Sequence, residues 1–263
     1  MEVMELTERQ QRELEYYNTY SDLNSKYEVD FEPVMGRVKR PWNSYWYAAE
    51  LAVNHFHSRQ QRLLDFGCGN GYYAMQYARI GYQVYGFDLS PNNILHAQQM
   101  AEFFQFSDRT HFATGVAEKL NFPDGFFDII VGIDILHHVE IKQAIQECAR
   151  VLKPGGIAIF HEPVRAPIFD TLRESKLAVR MVPNTVSFER HITEDERKLD
   201  AADLEAIKKL DPDPIIRHFL LFSRLERFSR KHQGALEKFD SYFFRIFPVA
   251  RRFGGRIVMT LRK

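Results

Sequence analysis

Apolar and polar positions follow two rhythms along this chain. Short aliphatic and aromatic runs predict strands over 62–66, 83–87, 110–114, 126–133 and 156–161, and apolar residues at three-to-four spacing predict helices over 71–80, 91–105 and 141–152. Local punctuation agrees. Ser90-Pro91 is an N-cap followed by proline at the first helical position, and Lys153-Pro154-Gly155-Gly156 stops a helix ahead of a strand. Strands alternating with helices predict a parallel sheet with helices on both faces. Residues 1–30 read as helical but mixed in period, with Tyr16, Tyr17 and Tyr20 clustered, and a further helix is expected to start near Pro41 and to bury Trp42, Tyr45, Trp46, Ala49 and Val53. After Glu162 the rhythm breaks. Residues 163–214 carry Pro163, Pro167, Pro183, Pro212 and Pro214 and a capping-box pattern from Thr193 to Glu196, which reads as a cap inserted over the carboxyl edge of the sheet. Strand character returns near 215–222 and 256–261.

The expected organisation is therefore a helical lid over 1–55, an α/β core over 56–162, the cap over 163–214 for an acceptor, and a C-terminal completion of the sheet over 215–263. A length of 263 residues with 45% apolar and 27% charged residues suits one sizeable α/β domain with an insertion. Net charge is zero but uneven: from Ile215 to Lys263 twelve Lys and Arg face three acids, Glu226, Glu237 and Asp240. Cys68 and Cys148 are far apart and offer no metal-type spacing, so a reducing, cytoplasmic compartment and no bound metal are expected. The N-terminal residues lack the basic and apolar regions of a signal peptide, and no apolar run approaches the roughly 20 residues that cross a bilayer.

The chemistry is concentrated in Leu63-Leu64-Asp65-Phe66-Gly67-Cys68-Gly69-Asn70-Gly71. A buried strand ends in an acid, and three alternating glycines turn into the next helix, so a ligand can approach bare backbone. Asp88 closes the following strand, placed to grip ribose hydroxyls. A dinucleotide site wants glycine where Tyr72 stands. Crowding against a pyrophosphate makes that reading unattractive, whereas a smaller nucleoside with an amino-acid tail suits the turn.

These residues, together with Gly86-Phe87-Asp88-Leu89-Ser90, Val116-Ala117-Glu118-Lys119-Leu120-Asn121-Phe122, Phe127 to Val131 running on to Leu136-His137-His138-Val139, and Leu152-Lys153-Pro154-Gly155-Gly156, resemble the class I S-adenosylmethionine-dependent methyltransferases of the small-molecule branch. The five motifs stand in the family's order and spacing and cover about residues 60–162. The resemblance implies a doubly wound, mostly parallel seven-stranded α/β sheet of Rossmann-like type with a helical cap, and S-adenosyl-L-methionine as cofactor. It implies cofactor contacts from Asp65, Gly67, Cys68, Gly69, Gly71, Asp88, Leu89, Ala117, Glu118 and Asp134, with Leu89 packing on the adenine.

Methyl transfer to a hydroxyl needs orientation and a base for the proton. The fourth strand runs into His137 and His138, so His137 is the first candidate base and His138 the second, with Glu162 at the end of the fifth strand placed to orient the imidazole; the competing reading is that the histidines cap the strand-to-helix turn. His161 alternates with Glu162 and is expected to face the helices. Tyr16, Tyr17 and Tyr20 could close a lid, and His191 could reach an acceptor from the cap. O-methylation of a small molecule is the expected activity. The fourth strand lacks an N-P-P-Y sequence of the kind used on exocyclic base or amide nitrogens, and no Pro-Cys pair suits a covalent cytosine mechanism. A C- or N-methyltransferase using the same site, and a non-catalytic S-adenosylmethionine-binding regulator or partner subunit, are the alternatives. For the basic, aromatic tail three readings stand: two amphipathic helices that close the fold with Phe239, Phe243, Phe244 and Phe247 buried, a membrane-surface contact, and, last, nucleic-acid binding, which no recognisable module accompanies. Neither the acceptor nor the oligomeric state is legible.

Overall fold

The computed structural model describes residues 6–20, 27–166, 197–228 and 234–263. Its strands are β1 (Arg62–Phe66), β2 (Gln83–Asp88), β3 (Thr110–Thr114), β4 (Phe127–Ile133), β5 (Leu152–Pro163), β6 (Ile215–Phe219) and β7 (Arg256–Arg262). They form one seven-stranded sheet in the order β3-β2-β1-β4-β5-β7-β6. All neighbours are parallel except β7, which runs antiparallel to both β5 and β6. Strand order reverses between β1 and β4, and at such a switch point the carboxyl ends of the strands splay to leave a ligand crevice.

The helices are α1 (Glu8–Tyr20), α2 (Glu32–Met35), α3 (Ser44–Asn54), α4 (Tyr72–Ile80), α5 (Pro91–Phe103), α6 (Ile141–Val151), α7 (Ala201–Ile207) and α8 (Ala235–Ile246). Neighbouring strand residues feed opposite layers, as a strand buried on both faces requires. Leu64, Ile130 and Ala158 pack with Ile145 and Cys148 of α6, while Leu63, Val131 and Ile159 pack with Ala48 of α3, Met75 of α4 and Met100 of α5. In α6 the buried residues are Ile141, Ala144, Ile145, Cys148 and Val151, the three-to-four spacing of one helical face. Ser90 caps α5 by accepting the N–H of Asn93, with Pro91 at the first helical position.

Two expectations are corrected here. Helix α3 begins at Ser44 rather than at Pro41, because Asn43 accepts the backbone N–H groups of both Tyr45 and Trp46 and an Asn cap outranks a nearby proline in fixing a start. Its fully buried residues are the small Ser44, Ala48, Ala49 and Ala52, while Trp42, Tyr45, Trp46 and Val53 are only half-buried. In the tail only one α-helix, α8, forms among the described residues, and of its expected inward aromatics Phe244 alone is buried; Phe239 and Phe247 are 50% and 54% exposed. Pro167, Pro183, His191 and the Thr193–Glu196 box lie outside the described residues.

Candidate active site

The β1-to-α4 turn is built on positive φ. Gly67, Gly69 and Gly71 stand at +74°, +50° and +90°, a region that a Cβ disfavours. The N–H of Cys68 donates to the carbonyl of Phe87 (2.8 Å), which ties the turn to the end of β2. There Asp88 accepts three bonds: from the Gly69 N–H (3.0 Å), the Ser90 N–H (2.9 Å) and the Asn93 side-chain amide (3.0 Å). A carboxylate offers about four acceptor sites, so one ligand hydroxyl has a ready position and a second would share with Asn93.

This turn opens into a cavity of about 250 Å³. Gly67, Cys68, Gly69, Asp88 and Leu89 form its floor, Ala117 and Glu118 the wall beyond β3, and Asp134 and His138 the wall beyond β4. Helix α1 covers it, presenting Gln10, Glu13 and Tyr17 at i, i+3 and i+7. Glu118 holds that lid, accepting from the Gln10 amide (3.1 Å) through one oxygen and from the Glu140 N–H (2.9 Å) through the other. A second tie runs from the Ser90 hydroxyl to Asn18 (2.8 Å).

The electrostatics select a cation. Glu13, Asp88, Glu118 and Asp134 face the cavity, and no lysine or arginine lines it among the described residues. Asp65 lies under the turn, 2% exposed, with its Oδ2 lacking a hydrogen-bond partner among the described residues. Burial, and then the nearby Asp88, push its carboxyl up to about 8, while burial also raises Asp88 despite its three donors. Two acids with raised pKa values, one buried and one half-buried, are short of positive charge. A sulfonium nucleoside with an ammonium tail would supply it, whereas an anionic pyrophosphate would be repelled.

Beyond β4 the backbone is strained: Asp134 stands at φ +55°. Its carboxylate accepts the Tyr45 hydroxyl (2.8 Å) and the Arg256 guanidinium. Burial alone would raise its pKa, but His161, Arg256 and Tyr45 outweigh it and hold Asp134 well below the ordinary carboxylate range. His161 itself packs on α3, with Nε2 2.9 Å from the Ser44 hydroxyl and its ring against Tyr45.

The two histidines occupy different places. His137 is 5% exposed, off the cavity wall, with Nδ1 2.7 Å from Glu162. Glu162 is fully buried, and its other oxygen accepts the N–H groups of Ile135 (3.0 Å) and Leu136 (2.7 Å). His138 lines the cavity, with Nδ1 3.4 Å from Glu13 and Nε2 3.3 Å from the Tyr17 hydroxyl. Of the other expected lid residues, Tyr16 meets Tyr17 edge-on and stands behind the wall, and the Tyr20 side chain and His191 lie outside the described residues. Sequence reasoning missed Gln10 and Glu13, whose signal was the polar i, i+3, i+7 spacing with Tyr17, and also Tyr45 and Arg256, which had none.

Known proteins resemble this chain in sequence and in fold. A family model described as a methyltransferase domain matches residues 64–160. The chain is 31% identical over 170 residues to a ubiquinone biosynthesis O-methyltransferase of Cereibacter sphaeroides (strain ATCC 17029 / ATH 2.4.9), covering 62% of this chain and 64% of that protein. It thus spans less than two thirds of that relative's length. It is 29% identical over 210 residues to the 27-O-demethylrifamycin SV methyltransferase of Amycolatopsis mediterranei (strain S699), covering 77% of each. Among solved structures, the geranyl diphosphate C-methyltransferase of Streptomyces coelicolor A3(2) superposes with a TM-score of 0.63 at 18% identity, over 98% of this chain and 99% of that one, which establishes a shared fold.

Proposed function

We propose that this chain is a class I S-adenosylmethionine-dependent methyltransferase, built on the methyltransferase domain matched over residues 64–160, and that it methylates a hydroxyl of a small-molecule acceptor with His138 as general base. The observation that carries this reading is the place of His138: it is the histidine on the cavity wall, its ring held between Glu13 and Tyr17. With Glu13 accepting Nδ1–H, Nε2 is left basic and aimed at the lid tyrosine. The cofactor supplies an electrophilic methyl on a positively charged sulfur, which leaves as a neutral thioether. The protein's part is to hold the ribose at Asp88, the ammonium near Asp65, and the acceptor hydroxyl where Nε2 can take its proton as the oxygen bonds to the methyl carbon. The Tyr17 hydroxyl either yields its place to the acceptor or relays that proton. Both contacts of His138 are long, and catalytic hydrogen bonds commonly tighten only once substrate is bound. Two relatives named above are O-methyltransferases by name or by the 27-O-demethyl substrate in the name, which favours oxygen over carbon or nitrogen.

The test is turnover on a panel of phenolic and alcoholic acceptors with labelled cofactor, comparing wild type with His138→Ala. A methyl ether as product, with the variant slower by about 10²–10⁴-fold at nearly unchanged cofactor affinity, supports the reading. A C- or N-methylated product, or equal turnover by the variant, removes it.

A further inference from the structure

We propose that the outward face of α8 and the 3-10 turn after it dock this protein on an anionic lipid bilayer surface. Phe239, Tyr242 and Ile246 stand at i, i+3 and i+7 of α8 and are 50%, 54% and 70% exposed; in the following residues Phe247 and Val249 are 54% and 68% exposed. Phe243 links Phe239 to Phe247 through ring contacts of 5.9 and 4.8 Å, so the strip is continuous. The helix has already met its packing needs on the other side. There Phe244 is buried, and Asp240 accepts the N–H groups of Leu221, Phe222 and Ser223. Apart from the contact of Phe239 with the Phe222 ring at 5.5 Å, the outer row is turned to solvent, and an exposed apolar strip of this extent marks a contact surface.

Charge names the partner. Arg245, Arg251 and Arg252 are exposed beside the strip. Both acids of α8 are engaged away from it, Asp240 in the interior and Glu237 with the Asn43 amide (2.9 Å). Among the described residues none of the three arginines forms an ion pair, and a helix with a bulky apolar face flanked by such arginines suits the plane of an anionic membrane. No described helix is long and apolar enough to cross one. Topology also favours the arrangement. Because β7 is antiparallel, its first residue, Arg256, pairs with the last residue of β6, Phe219, at the carboxyl edge of the parallel strands. The segment between them, which carries α8, hangs from the same sheet edge as the cavity, and Arg256 reaches Asp134 on the cavity wall.

The experiment is co-sedimentation of the full chain with vesicles of phosphatidylglycerol and phosphatidylcholine, and with phosphatidylcholine alone. The expected result is salt-sensitive pelleting with the anionic vesicles only. The double variant Ile246→Ser, Val249→Ser should weaken it by about tenfold or more, and Arg245→Glu, at an exposed position, by at least about fivefold. Unchanged melting temperature and S-adenosylhomocysteine binding will show that each variant is folded. A wild-type chain that stays in the supernatant, variants that pellet equally well, or a solution dimer split by the same double substitution would each overturn the proposal; the last would make a second copy the occupant.

Discussion

Nδ1 of His137 lies 2.7 Å from Oε2 of Glu162, and the same carboxylate accepts the N–H groups of Ile135 and Leu136. One buried acid thus shapes the strained exit from β4, and so places Asp134 on one side of the turn and His138 on the other. Glu162→Gln replaces the charged acceptor of the Ile135 and Leu136 N–H groups by a neutral amide, whose NH2 meets His137 only in the tautomer that accepts at Nδ1, at a cost of about 1–3 kcal/mol. Scanning calorimetry should show a melting temperature lower by roughly 2–4 °C per kcal/mol. His137→Ala should do the same while turnover well below the melt stays within about tenfold of wild type; a collapse of turnover in a folded His137→Ala protein would return the base to His137.

Asp65 links folding and cofactor uptake to pH. In the unfolded chain its carboxyl ionises near 3.8, but in the fold it holds its proton to about 8. The folded protein therefore binds more protons through this window, and its stability should fall as pH rises from about 4 to about 8. An ammonium brought to Asp65 reverses the shift, so cofactor binding near pH 7 should release a proton. Titration calorimetry in buffers of different ionisation enthalpy will read that release, and Asp65→Asn should abolish it along with much of the affinity.

The glycines of the turn should separate into structural and ligand-facing positions. A Cβ on Gly71 would stand 2.8 Å from Ala97 Cβ and 3.0 Å from its Cα, so Gly71→Ala should cost about 3 kcal/mol or more in denaturant unfolding. A Cβ on Gly69 meets nothing within 4 Å. Gly69→Ala should cost only the backbone strain, about 1–2 kcal/mol, yet weaken S-adenosylhomocysteine binding, because the new methyl stands in the open space beside the cavity.

The sheet and its cofactor turn were legible because their signals are local. The Gly67–Gly71 turn, the Ser90-Pro91 cap and the α6 stripe each declare an element within about ten residues. The histidine pair was not legible to one residue. Leu136–His138 is a 3-10 turn, in which each residue rotates by about a third of a turn, so adjacent histidines point into different surroundings and nothing local says which meets the cavity. The Asp134 site is hidden for another reason: Tyr45 and Arg256 lie 89 and 122 positions away in sequence. In α8 two rows compete for the interior, and the row closed by Phe244 and Asp240 wins because Asp240 satisfies the backbone of the segment packed beneath it. The phenylalanine count alone named residues of both rows and did not separate Phe244 from Phe239 and Phe247.

The most direct measurement is calorimetric titration of S-adenosylhomocysteine into the wild-type chain and into Asp88→Ala. Wild type should bind at one site per chain, and the variant should bind about tenfold more weakly or worse, as loss of a charge-assisted hydrogen bond to the ribose requires. A wild-type chain that takes up no S-adenosylhomocysteine, or an Asp88→Ala protein that binds it equally well, would contradict the assignment of this cavity.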